Sequence, residues 1–232
     1  LPGRILLWGV LVILGGIIGT ACTAKATPIP MPTEPEFGGT LVIAQAGEPN
    51  TMFQAKSVIA ESRNIGGHIG SRLVQENSKG EILPDLATRW QVSADGRSIT
   101  FDIRKGAKFH DGTPVNAPNI EWFFDMLREE DHPYHERLGP FFTFNFIIGS
   151  TLKHMETVDE FTLRAELFKP SAAFFSQIYF PSMIVDSPEA IKSLGEEYGK
   201  DIQVGSGPYK FTTWEHGQRL IIEKYADYRC SA

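Results

Sequence analysis

The sequence has little cysteine, no excess of positive charge and only one long apolar run. Its two cysteines, Cys22 and Cys230, cannot frame a disulfide-stabilised fold. Basic residues number 22 against 28 acidic ones, a net charge of −6. With no basic surplus to neutralise phosphates, a nucleic-acid partner is not expected. There is no phosphate-cradling loop and no dinucleotide fingerprint. Gly205-Ser206-Gly207 is not a nucleophile elbow, because that motif needs a residue between the Ser and each Gly. No catalytic residue and no cofactor are therefore expected, and the chain reads as a non-enzyme. What it does have is apolar content: 42% of residues are hydrophobic and 22% charged. That is enough for one substantial core or two small ones, and too much for a disordered chain.

The long apolar run lies at the start. Arg4 precedes Ile5 to Ile18, and Gly19-Thr20-Ala21-Cys22 follows. A basic residue, an apolar stretch and small residues before a cut describe a secretory signal. A cysteine directly after them resembles a lipoprotein lipobox, with Gly19 where leucine is usual. Residues 1–22 are thus predicted to be a lipoprotein signal peptide with lipid attached at Cys22. The alternative is an uncleaved transmembrane anchor of barely sufficient length. Either reading puts the remainder outside the cytoplasm, because positive charge stays inside. Residues 23–37, TAKATPIPMPTEPEF, hold four prolines and read as an extended tether.

Residues 38–232 carry the folded pattern. Thr40 to Ala46 is short and apolar and predicts a strand. Ile65, Ile69 and Leu73, at four-residue steps, favour a helix between Ile59 and Val74. Ser93 to Gly96, SADG, has hairpin chemistry. Ser98 to Arg104 alternates, with Ile99, Phe101 and Ile103 on one face, and predicts a half-buried strand. Asn116 can cap a helix with Pro118 in its first turn and an apolar face of Ile120, Phe123, Phe124 and Leu127. Glu129 to Gly139 reads as a polar loop. Phe141, Phe142, Phe144 and Phe146 read as a buried strand or as the wall of an apolar cleft. A hairpin is predicted from Thr151 to Leu167, and a short apolar helix from Ser171 to Phe180. Ser187-Pro188 starts a helix running to about Tyr198. Gly205 to Tyr209 is a tight turn, with strands near Lys210 to Trp214 and Arg219 to Tyr225. This irregular order lacks the regular alternation of a doubly wound sheet. It predicts an α+β domain, mixed sheets with flanking helices.

Two constellations could suggest a metal. His110-Asp111 sits in a turn without further ligands at suitable spacing. Asp131-His132-Pro133-Tyr134-His135, after Glu129-Glu130, gathers two histidines and three carboxylates, but its polarity favours a solvated segment. No metal site is expected.

Three segments in order carry a resemblance. The first is GEILPDLATRWQVSADGRSITFDIRKGAKFHDGTPVNAPNIEWFF from Gly80. It contains Pro84, Leu86, Ala87 and Trp90, the Ser93 to Gly96 turn, Thr100-Phe101, Arg104-Lys105-Gly106 and Phe109-His110-Asp111-Gly112. The second is the strand from Thr162 to Lys169-Pro170, with apolar residues behind it. The third is Gly205-Ser206-Gly207-Pro208-Tyr209, followed by Trp214, Gly217 and Tyr228. Together these resemble the solute-binding proteins of peptide, opine and nickel ABC importers (bacterial extracellular solute-binding protein family 5), with Ser206 in place of threonine and Asn116 and Asn119 in place of Thr and Asp. Family members are more than twice as long. The chain therefore reads as the N-terminal lobe of a two-lobed periplasmic-binding-protein-like fold, with the second lobe missing.

The resemblance implies an extracytoplasmic, lipid-anchored protein, in the periplasm or on the outer face of the cell membrane. It would take a peptide, nickel or another small solute and dock on ABC permease subunits. Most signature residues read as turns and core. The resemblance puts Gly47 to Ala60 at the cleft, with Ser57, Val58, Ile59 and Ala60 touching ligand and Asn50 and Tyr134 as further candidates. A membrane-tethered sensory or structural module derived from such a binder is the alternative.

Overall fold

The computed structural model describes residues 38–228. The predicted signal, the tether, Cys22 and Cys230 all lie outside the described residues. The elements below belong to the compact unit that starts at Ala44.

The core is built on a sheet of four strands in the order β3-β4-β6-β5. These are β3 (Ala87–Val92), β4 (Ser98–Ile103), β5 (Leu152–Asp159) and β6 (Thr162–Leu167). The alternation seen in the sequence sets the register. Ile99 faces Ala165 and Phe101 faces Leu163 across the β4–β6 pair. Ile99, Phe101, Ile103, Leu163, Ala165 and Leu167 are all buried. One face of the sheet therefore goes to the core while Thr100, Asp102, Arg164 and Glu166 keep partial contact with water. The SADG turn joins β3 to β4 as expected. Gly96 takes φ +67°, and Ser93 Oγ donates to Asp95 Oδ1 at 2.6 Å.

Helix α2 (Ala117–Arg128) lies across β5 and β6. Asn116 Oδ1 accepts from the Asn119 N–H at 3.1 Å, which caps the helix. Ile120, Phe123, Phe124 and Leu127 are buried, as the spacing requires. Around this layer stand α1 (Ala60–Ile69), α3 (Pro133–Leu138), α4 (Phe142–Phe144), α5 (Phe174–Ile178) and α6 (Pro188–Leu194). Two hairpins complete the order: β1 (Val74–Glu76) with β2 (Ile82–Pro84), and β7 (Tyr209–Glu215) with β8 (Arg219–Lys224). The α+β class holds. Every strand pairing among the described residues is antiparallel.

Several expectations are corrected. Thr40 to Ala46 forms no strand, and Leu41, Val42 and Ile43 are 83%, 86% and 68% exposed. Apolar content makes a strand only where a neighbour takes up the backbone groups, and no pairing is described for this segment. The polar stretch from Glu129 contains helix α3, capped by His132 Nδ1, which accepts from the Tyr134 N–H at 3.3 Å. The phenylalanine cluster is helical: α4 runs into a π-helical turn, Asn145–Gly149. Phe141, Phe144 and Ile148 are buried at helical spacing, whereas a strand would bury every second residue. Helix α6 stops at Leu194 rather than near Tyr198, because Gly195 turns to φ +55°.

Candidate functional site

The segment from Asn50 to Ala60 is held by a polar clasp. Asn50 Oδ1 accepts from Ser57 Oγ and from Ser62 Oγ, both at 2.9 Å, and the Asn50 N–H donates to Ser62 Oγ at 3.2 Å. Thr51 Oγ1 and the Met52 N–H both donate to the Gly199 carbonyl at 2.7 Å. Ser182 Oγ donates to the Ser57 carbonyl at 3.1 Å. Beneath the clasp Phe53 is fully buried, its ring edge-on to Tyr198 at 5.2 Å and to Phe141 at 5.7 Å. Gly66 leaves the space that the Gln54 side chain fills.

The clasp decides what each predicted residue can do. Ser57 is fully buried, and its hydroxyl is spent on Asn50. Asn50 itself is exposed. Val58 is 64% exposed, Ile59 is half-buried and Ala60 opens α1 on the surface. Asn50 and Ser57 are thus brought together, and Val58, Ile59 and Ala60 follow directly. Tyr134 sits on α3, its ring edge-on to Trp122 at 5.5 Å with the Arg137 guanidinium 5.9 Å from its ring centre. No described contact joins it to the other candidates. Ser62, Ser182 and Gly199 hold the clasp and were not foreseen. Ser182 and Gly199 come from more than a hundred residues away, and no local pattern marks them.

The signature motifs meet in a second cluster. The His110 N–H donates to the Gly205 carbonyl at 2.9 Å, and His110 Nε2 donates to the Gly207 carbonyl at 3.0 Å. Burial lowers the His110 pKa, so the ring is neutral with its proton on Nε2. The Gly207 N–H donates to the Ile69 carbonyl at 2.8 Å. A β-carbon on Gly207 would stand 2.7 Å from the His68 carbonyl oxygen, so the turn needs glycine for close backbone approach. Asp111 accepts from the Thr113 hydroxyl at 2.6 Å and from the Ser187 hydroxyl. Ser187 in turn accepts from the Ala190 N–H at 3.2 Å and caps α6. These contacts make the motif a scaffold. Beside it is a shallow depression of about 150 Å³, lined by His110, Asp111, Gln203 and Lys210 among others.

Asp186 lies behind this cluster and is fully buried. Burial pushes its carboxyl up to about 7, against the opposing pull of hydrogen bonds from Gln203 and Tyr198. The histidines of the polar stretch are occupied. His132 caps α3, and buried His135 places Nδ1 2.9 Å from the Met126 carbonyl. Among the described residues no three His, Cys, Asp or Glu side chains converge as metal ligands. Among them, too, no helix is long and apolar enough to cross a membrane.

A lobe of antiparallel sheet and flanking helices, opened by a clasped loop and tied by glycine-rich turns, has clear relatives. The model of the bacterial extracellular solute-binding proteins, family 5, matches residues 81–231, more than half of the chain. The chain belongs to this family. Di/tripeptide-binding protein 1 of Pseudomonas aeruginosa is 27% identical over 83% of this chain and 38% of its own length. The glutathione-binding protein GsiB of Pectobacterium atrosepticum is 32% identical over 64% of this chain and 27% of its own. The periplasmic binding protein DppA of Helicobacter pylori, solved with the peptide STSA, superposes with a TM-score of 0.73 at 27% identity. That match covers 80% of this chain and 39% of DppA. The chain therefore spans about two fifths, or less, of the length of these relatives and corresponds to part of a lobed binding protein.

Proposed function

We propose that this chain is the N-terminal lobe region of an extracytoplasmic solute-binding lipoprotein that delivers short peptides to an ABC importer's permease. Its domains would be a signal to residue 22, a tether over 23–37 and the lobe from 38 onward. Lipid on Cys22 would hold it at the membrane. Nickel or another small solute is the alternative cargo within the family reading. The family match supports this reading above all, together with relatives named for di- and tripeptides and for glutathione. A two-lobed binder favours its closed form only through contacts made by both lobes, so the loop at Val58 to Ala60 would contribute one side of the grip.

Uptake tests the proposal. Cells with the gene deleted should lose import of radiolabelled di- and tripeptides, and the complete gene on a plasmid should restore it. Unchanged uptake of peptides and of nickel would remove the transport reading in favour of a tethered sensory or structural module.

A further inference from the structure

Two histidines three residues apart make opposite demands on a proton. His132 is the N-cap of α3, and its Nδ1 accepts from the Tyr134 N–H at 3.3 Å. A backbone N–H only donates, so this bond needs a bare ring nitrogen. His135, inside the same helix, places its Nδ1 2.9 Å from the Met126 carbonyl. A carbonyl only accepts, so that bond needs a proton on the ring and survives full protonation. His110 Nε2 donates to the Gly207 carbonyl, and His216 Nε2 lies 2.8 Å from an oxygen of Asp201, so both bonds also survive. Among the described residues, His132 is therefore the histidine whose hydrogen bond a proton destroys.

The surroundings oppose that proton. The His132 ring is edge-on to Trp122 at 5.1 Å, and the Lys192 ammonium of α6 lies 4.6 Å from a ring centre of the same indole. Partial burial is the main influence on His132 and lowers its pKa. His135 and Lys192 act in the same direction, and Glu129 and Asp131 oppose them. On α2, Arg128 is paired with Asp125 and Glu129. The turn Gly195–Glu197, which packs on α3, brings Glu196 and Glu197, and α3 itself carries Glu136 and Arg137. A cation at the cap would also face the free N–H groups and the positive end of the helix dipole.

We propose that α3 is a proton-released latch: neutral His132 closes the start of the helix against Trp122, and protonated His132 opens it. The release is confined to Pro133 and Tyr134. Tyr134 leaves with the cap, so Trp122 loses both rings and keeps Lys192. The rest of α3 stays docked, because the His135–Met126 bond is indifferent to the proton and Leu138 is buried. The latch stands on the geometry of α3 and does not depend on the solute-binding reading.

Nitrogen-15 NMR on the full chain in nanodiscs tests it, scanned from about pH 7.5 to about pH 4.5. Exchange of the Tyr134 amide with water is compared with that of an unstructured amide at the same pH. Its protection should fall about fivefold as the His132 ring titrates, with a midpoint below 6.5. His132→Asn supplies a capping oxygen that does not titrate, so Tyr134 should stay protected throughout. His132→Ala removes the cap and should leave Tyr134 weakly protected at every pH. Constant protection in the parent would overturn the latch. So would an equal acid loss in His132→Asn, which would assign the effect to another group such as Asp125. The parent also decides by itself if a variant does not fold. A midpoint for Tyr134 that departs from that of the His132 ring nitrogens overturns the proposal, and coincident midpoints support it.

Discussion

Phe101 and Asp186 are both fully buried, and they respond to burial in opposite ways. Phe101 sits mid-strand against Leu163, with the Phe174 ring 6.4 Å away. Phe101→Ala removes a whole ring from a packed layer and should cost about 3–5 kcal/mol in a urea titration. A midpoint within error of the parent would mean the site refills or the register is wrong. Asp186 loses water on folding, and its carboxyl rises from 3.8 to about 7. The folded state therefore holds a proton that the unfolded chain releases between those two values. Stability from this group is fully present below about pH 4, declines as pH rises to about 7 and is flat above. Asp125, pushed to about 6 mainly by burial, adds a slope of the same sign. Asp186→Asn should raise the melting point at pH 8, by roughly 2–4 kcal/mol of stability, and do little at pH 4. Parallel melting curves for parent and variant across that range would refute this account.

At the scale of elements, the sequence revealed what is locally determined. β4, β6 and α2 were readable because period-two and helical spacing coincide with burial, and because Asn116 and Ser187 stand where caps must stand. α3 was missed because its cap is a histidine and most of its six residues are polar. The phenylalanine run was misread because consecutive aromatic residues fit either period until burial separates Phe141 and Phe144 from Phe142 and Phe146. The Gly205 to Tyr209 turn was found, but for a different reason than flexibility. Its glycines make room for the C-terminal end of α1. Gly207→Ala should therefore destabilise by about 1–3 kcal/mol through forced overlap with the His68 and Ile69 carbonyls. An unchanged denaturation midpoint would show that the two backbones can separate freely.

For the molecule as a whole, the family was legible because its densest motif is one continuous run, from Gly80 through the helix that Asn116 caps, with two shorter segments following in order. The surroundings of the candidate site residues were not legible: Ser57 is a buried strut bonded to Asn50 and to Ser182, 125 residues on, and Tyr134 lies against Trp122, and no local pattern announces such partners. The proposed lipid anchor belongs to this scale as well. Cys22→Ala should abolish metabolic labelling with radioactive fatty acid. Equal labelling of the variant would exclude a lipid on that cysteine.

The antiparallel bridge between Ser71 and Val185 closes the ends of a long excursion, and Gly70 lies directly against Ile184 at the same point. The stretch from Arg72 to Ile184 is also stitched to the chain on either side of it, through His110 to the Gly205 and Gly207 carbonyls, Asp111 to Ser187 and Ser182 to the Ser57 carbonyl. A residue gained or lost near any of those stitches pulls on the flanking chain as well. Changes of length are therefore expected to be tolerated at exposed turns that carry no such stitch, as at Ser78-Lys79-Gly80, and an engineer should graft there.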